Sequence, residues 1–109
     1  MNRSTLASAL LAAAVLAPGL GHAAAPMATA TQYGCLGCHG LEQGVVGPGF
    51  RQIAGKYKAD KGAEAALMTK IRTGGAGAWG SMAMPPQPGP KDDELKAVVG
   101  WILAGAPAQ

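Results

Sequence analysis

Two cysteines and a histidine lie together in one short stretch of this 109-residue chain. Cys35, Cys38 and His39 form the pattern C-x-x-C-H, which is typical of covalent attachment of a c-type haem. Two thiols can add across the two vinyl groups of a haem, and residues three and four apart share one face of a helical turn. We therefore expect thioether bonds at both cysteines and an iron ligand at His39.

Three other interpretations of a C-x-x-C pair compete with this one. A redox disulfide usually accompanies a βαβ pattern, which the sequence lacks, and structural zinc needs four Cys or His ligands. The chain has two cysteines and two histidines, and one of these, His22, lies in a segment that we expect to be removed. A structural disulfide in an exported protein is the third alternative. None of the three gives a role to His39.

The N-terminus has the layout of a secretory signal peptide, with a basic residue, an apolar run and then small residues. Arg3 precedes the apolar run 6–17. That run is shorter than the roughly 20 residues of a membrane span, so an uncleaved anchor is the less favoured alternative. We predict a cleaved signal peptide over 1–24, a periplasmic domain over 25–109 and no stable membrane insertion.

The composition allows one small domain and gives no sign of nucleic-acid binding. Nine Lys and Arg stand against six Asp and Glu, a net charge of +3, and no basic cluster is interleaved with aromatic residues. A domain of this size buries little apolar surface by itself. We therefore expect a haem to complete the core, so that the haem-free chain is poorly folded.

Apolar periodicity predicts an all-α chain of four short helices. No alternating strand pattern is present, and the expected helices span 28–40, 50–58, 63–73 and 92–104. The first helix would carry the haem motif at its C-terminal end. Prolines and glycines crowd the segment 74–90, which predicts no regular structure there, and we expect the tail after the last helix to fray.

A haem held by one histidine leaves a position on its other face. Methionine in that position gives an electron carrier, whereas an open position gives binding or catalysis. Met82 and Met84 lie in a segment that could cross that face. We favour Met84, because Pro85 and Pro86 stiffen the backbone after it. The alternative is that both methionines only line the pocket.

Several stretches, taken in order, resemble the small bacterial class I cytochromes c, most of all the cytochrome c-551/c-552 group. They are Cys35–His39, Val46–Pro48, Trp79–Pro86, Asp92–Glu94 and Trp101–Leu103. The resemblance implies the class I cytochrome c fold, in which about four helices wrap around one covalently bound haem c. It also implies His and Met ligands to the iron and single-electron transfer between redox protein partners in the periplasm.

The resemblance assigns roles to individual residues. Pro48 matches a proline whose carbonyl accepts the Nδ1–H of the ligand histidine and so fixes its tautomer. Met84 matches the methionine ligand, and Trp79 matches a tryptophan whose indole N–H points at a haem propionate, although core packing is the alternative for it. Lys70 stands where the family often has an arginine near that propionate, and it keeps the charge without the fork geometry. Lys91 replaces a serine N-cap, whose hydrogen bonds lysine cannot accept.

The sequence thus predicts an electron carrier, not an enzyme, and a monomer with unidentified redox partners. The expected cofactor-binding residues are Cys35, Cys38, His39, Pro48, Lys70, Trp79 and Met84, with His39 and Met84 as the iron ligands. One alternative is a haem enzyme or gas-binding protein with an open sixth position, although the mature chain offers no second histidine. Another is an electron-donor subunit of a larger complex. Basic residues would either steer an acidic partner or form a solvated face: Lys56, Lys58, Lys61, Lys70 and Arg72.

Overall fold

The protein is described here by a computed structural model over residues 25–109, and the predicted signal peptide lies outside them. Four helices are present, α1 (Pro26–Gln32), α2 (Phe50–Tyr57), α3 (Ala63–Thr73) and α4 (Asp92–Leu103). A 3₁₀ turn (Cys35–Gly37) follows α1, and two strands, β1 (Gly75–Gly77) and β2 (Gly80–Met84), lie between α3 and α4. The predicted, mainly helical architecture of four short helices is confirmed. None of the helices in this part of the chain is long and apolar enough to cross a membrane.

Helix α4 is the centre of the fold, since it packs against α1, α2 and α3. Its buried residues recur at helical spacing and are Leu95, Val98, Val99, Trp101 and Ile102. The core cluster joins three of them to Ala30 of α1 and to Phe50 and Ile53 of α2. Because apolar burial is the main favourable term in folding, this stripe fixes where α1 and α2 stand.

The first helix ends earlier than the sequence predicted. Helix α1 stops at Gln32, and Gly34 takes the left-handed conformation with φ 74°. An α-helix does not continue through a left-handed residue, so the chain leaves the helix axis at this point. The second half of the predicted helix over 28–40 is therefore wrong, and the haem motif begins in the separate 3₁₀ turn, with Cys38 and His39 directly after it.

The prediction of no regular structure over 74–90 is also wrong. Strands β1 and β2 pair in antiparallel fashion, with a register irregularity in β1. Gly75, Gly77 and Gly80 have φ values of 121°, 112° and 110°, which only glycine adopts readily. The prolines begin with Pro85, after the last residue of β2, so they do not interrupt the ladder.

The tail after α4 folds back over the core, contrary to the expected fraying. Ala106 is fully buried at 0% exposure. The indole Nε1–H of Trp101 donates to the carbonyl of Pro107 over 2.9 Å, and Nε of Arg51 donates to the carbonyl of Gly105 over 3.3 Å. The buried indole N–H thereby finds the partner that it needs, and Trp101 is a core residue as expected.

Candidate haem-binding site

The two predicted thioether cysteines lie in the 3₁₀ turn and directly after it. The amide of His39 donates to the carbonyl of Cys35 over 2.9 Å, which closes the turn. Both thiols are free, with Cys35 half-buried and Cys38 exposed. Burial raises the pKa of the Cys35 thiol above its ordinary value. The motif therefore presents two reduced sulfurs and an imidazole from one short segment.

The loop after the motif is fastened to it through a single carbonyl oxygen. The amides of Val45, Val46 and Gly47 donate to the carbonyl of Cys38 over 3.3, 3.1 and 2.9 Å. Gly44 lies so close to the Gly47 carbonyl that a side chain at this position would collide with it. The absence of a side chain at Gly44 thus allows a close backbone approach, which holds the loop against the motif.

Three neighbours fix the imidazole of His39. Its Nδ1 lies 2.7 Å from the carbonyl oxygen of Pro48, the contact that the resemblance implied. The Nδ1–H therefore donates to this carbonyl, and Nε2 is the nitrogen left to bind a metal. Phe50 stacks on the ring, with centroids 5.2 Å apart and planes 16° apart. The backbone of Gly47 is the third neighbour. A Cβ added there would lie 2.7 Å from Cε1, so the backbone packs closely against the ring and restricts its position.

An apolar cavity of about 430 Å³ lies against this ring. Its walls include the motif, the loop after it and the β1–β2 hairpin. All seven residues predicted to bind the cofactor line it, namely Cys35, Cys38, His39, Pro48, Lys70, Trp79 and Met84. Its volume falls in the range of about 300–1,000 Å³ that is usual for ligand and cofactor sites. The fold thus brings the whole predicted set to one cavity.

Both candidate methionines reach the cavity. Met82 and Met84 line it together, and they are two residues apart on β2, so their side chains leave the same strand face. Met82 is 69% exposed, whereas Met84 is half-buried. The deeper position favours Met84 as the sulfur that enters the cavity.

Lys70 and Trp79 lie where an acidic group could be bound. Lys70 is the one Lys, Arg, Asp or Glu that lines the cavity, and none of the described ion pairs includes it. A half-buried cation is favoured by an anion beside it, and no protein carboxylate lines this cavity. Trp79 is 44% exposed, so core packing does not account for it.

Tyr33 and Glu94 form a contact that the sequence did not reveal. The Tyr33 hydroxyl, beside the cavity, donates to Oε2 of Glu94 over 2.8 Å and so ties α1 to α4. The same carboxylate accepts the amide of Lys91, the N-cap residue of α4, over 2.9 Å, which is the glutamate half of a capping box. These two hydrogen bonds, the amide's being the larger cause, hold the pKa of Glu94 below its usual value. The hydrogen bond to Glu94 raises the pKa of Tyr33. The partners are 61 residues apart, which local patterns cannot reveal.

This donor set fits a covalently bound haem. Two free thiols and an oriented imidazole face a mostly apolar cavity, which suits an apolar macrocycle. A single cation in the wall suits the acidic side chains of such a group. Within residues 25–109, no group of three or more His, Cys, Asp or Glu side chains could hold a bare metal ion.

Comparison with known proteins gives matches over most of the chain. A family model described as "Cytochrome C oxidase, cbb3-type, subunit III" matches residues 22–102. Cytochrome c-551 of Allochromatium vinosum is 40% identical over 81 residues, which cover 74% of this chain and 86% of that protein. Cytochrome c-552 of Nitrosomonas europaea is 40% identical over 97 residues, which cover 89% and 87%.

Solved structures agree with these matches. The crystal structure of wild-type Nitrosomonas europaea cytochrome c552 has a TM-score of 0.70 at 38% identity and covers 72% of this chain and 98% of that one. Class 1 cytochrome MtoD from Sideroxydans lithotrophicus ES-1 has a TM-score of 0.66 at 25% identity and covers 74% and 92%. The structural similarity therefore covers 72–74% of this chain and 92–98% of the two solved chains.

Proposed function

We propose, from the premise that this chain belongs to the class I cytochrome c family with the c-551 and c-552 proteins, that it shuttles single electrons between redox partners in the periplasm. It is a small electron-transfer haem protein with one covalently attached haem c. The iron of that group supplies a reversible one-electron change when it is bound. The chain's own residues hold it, exclude water and keep the ligands in place.

The observation that carries the proposal is one apolar cavity that is lined both by an oriented imidazole and by a methionine side chain. His39, its Nε2 available, and Met84 both face this cavity. Histidine with methionine is the ligand pair that suits electron transfer with a raised potential. We infer that these two residues would bind the haem iron.

Attachment uses the two thiols of the motif. The sulfurs of Cys35 and Cys38 would each form one C–S bond with a vinyl carbon of the haem, and each thiol proton would end on the neighbouring carbon. This addition consumes no electrons and releases no leaving group. The oxidising compartment outside the cytoplasm would otherwise pair the two cysteines as a disulfide, so attachment also removes that competing reaction.

The surroundings of His39 keep the ligand set the same in both oxidation states. The carbonyl of Pro48 holds the Nδ1 proton, and Phe50 supports the ring face. Lys70 and Trp79 line the same cavity, and we infer that they bind the acidic groups of the cofactor, with charge from the ammonium and a hydrogen bond from the indole. A site whose atoms move little when an electron is gained or lost has a small reorganisation energy, and this favours fast electron transfer.

Visible spectroscopy of the ferric haem protein tests the ligand assignment. We expect a far-red methionine-to-iron band that is lost in Met84→Ala and kept in Met82→Ala. The second variant is a matched control, because it removes the same side chain from the same strand face. Absence of the band in the unchanged protein, or a ferrous form that binds carbon monoxide readily, would favour the haem enzyme or gas-binding alternative.

The periplasmic assignment rests on the leader over 1–24. Mass spectrometry of the protein purified from its own host should give a chain that begins near residue 25. A protein that retains Met1 would contradict cleavage.

A second candidate is an electron-carrying part of a larger oxidoreductase complex. The description of the matching family model, an oxidase subunit, supports it. Size-exclusion chromatography of a native periplasmic extract separates the two: a haem-containing peak at the mass of the small domain supports the free carrier, and elution with a large complex supports the subunit.

A further inference from the structure

The hairpin that carries the candidate methionine ligand has little support of its own. All residues of β1 and four of the five in β2 are exposed. A two-stranded hairpin alone is marginally stable in water, and three of its residues are glycines with positive φ. Something outside the hairpin has to keep its tip in place.

Lys56 of α2 makes that contact. Its Nζ donates to the carbonyl of Ala78 over 2.7 Å and lies 4.5 Å from the centroid of the Trp79 ring. Beyond the β1–β2 ladder itself, no other hydrogen bond within 25–109 joins residues 76–81 to the rest of the chain. An ammonium over an indole face is attracted by the ring's electrons, so both contacts act on the same turn.

We propose that Lys56 is a positioning residue that holds the hairpin tip against α2 and so keeps Trp79 and Met84 at the cavity. The part that concerns Met84 rests on its proposed role as a ligand. Lys56 does not line the cavity, whereas Trp79 does, so the ammonium acts through the indole and the turn. The ladder then carries the constraint along β2 from the turn to its last residue.

The chain offers a matched control for this proposal. Lys58 follows α2 and is exposed, and it makes none of the described hydrogen bonds or ion pairs. Lys56→Gln and Lys58→Gln therefore change the net charge equally, while only the first removes the tether. Lys56→Arg retains a cation that can reach both the carbonyl and the ring face.

Two measurements on the holoprotein test it. Hydrogen–deuterium exchange of the peptide 75–84 should quicken in Lys56→Gln, stay unchanged in Lys58→Gln and return towards the starting rate in Lys56→Arg. Imidazole should displace the methionine ligand at a concentration at least about twofold lower in Lys56→Gln alone, because an exposed cation–π contact by itself accounts for about that factor.

Equal behaviour of the two Gln variants would overturn the proposal. Faster exchange without easier displacement would also overturn it, because the tether would then not reach Met84. If the unchanged protein shows no methionine band, the ligand role of Met84 fails instead. The exchange contrast between the two Gln variants still decides whether Lys56 holds the hairpin.

Discussion

The strongest constraint on the candidate iron ligand comes from a residue without a side chain. Gly47 lies against the imidazole of His39, and its φ is not in the left-handed region, so its backbone would accept alanine. Gly47→Ala therefore tests one thing, the space beside the ring. The added methyl group would stand 2.7 Å from Cε1 and 3.1 Å from Nδ1.

The size of the effect follows from these distances. Ordinary van der Waals contact at a Cβ begins near 3.4 Å, so the ring has to retreat by about 0.7 Å. Such a shift disturbs the stacking of the ring on Phe50 and strains its 2.7 Å contact with the carbonyl of Pro48. Overpacking of this kind costs about 1–3 kcal/mol, which for a domain of this size lowers Tm by roughly 5–20 °C.

Thermal melting of the holoprotein measures the loss of stability. The proton NMR signal of the His39 Nδ1–H reports any change in the position of the ring. Gly55→Ala is the matched control, because the same methyl group there, within α2, meets no atom within 4 Å. Helix propensity predicts that it raises Tm slightly. If Gly47→Ala has the same Tm as the unchanged protein and the chemical shift of the His39 Nδ1–H is also unchanged, then Gly47 does not fix the position of the ring.

Two further predictions concern the helix cap and the cofactor. Hydrogen bonds hold the pKa of Glu94 below the ordinary value of about 4.3, so their stabilisation is present above that pH and is lost as the pH falls through the folded-state pKa. The deficit in Tm of Glu94→Gln should therefore shrink in acid; a deficit that stays constant with pH would contradict this. The haem-free variant Cys35→Ser/Cys38→Ser should melt without a cooperative transition in calorimetry, because the domain buries too little surface alone. A sharp transition would show that the chain folds without its cofactor.

The helices that could be predicted are those whose signals are local. Helix α3 runs over Ala63–Thr73, as its apolar stripe and the glycine after it indicated. Helix α4 begins at Asp92, where three acidic residues suit its positive end. The predicted end of the first helix was wrong because Gly34, Gly37 and Gly40 could each stop a helix, and the local sequence does not say which of them takes the left-handed conformation. The packing of the chain that follows the turn decides where the helix ends.

The hairpin was hidden for a different reason. Its residues are small or exposed on both faces, so the sequence shows no alternation of apolar and polar residues there. Its glycines usually argue against a strand, but here they allow the irregular register of the ladder. In the site, the chemistry could be predicted because the motif is contiguous. The supports could not, since Lys56 with Ala78 and Tyr33 with Glu94 are 22 and 61 residues apart.

The two sides of the cavity are held with unequal strength, and this has a consequence for the proposed ligands. The His39 side is fixed by Pro48 and Phe50 and by the loop bonds to Cys38, all within one short stretch of chain. The methionine side is an exposed hairpin with one described hydrogen bond at its tip. Local opening starts where buried contacts are few. A competing ligand or mild denaturant should therefore release Met84 well before it disturbs His39, and a substitution that tightens the hairpin should delay that release without altering the histidine side.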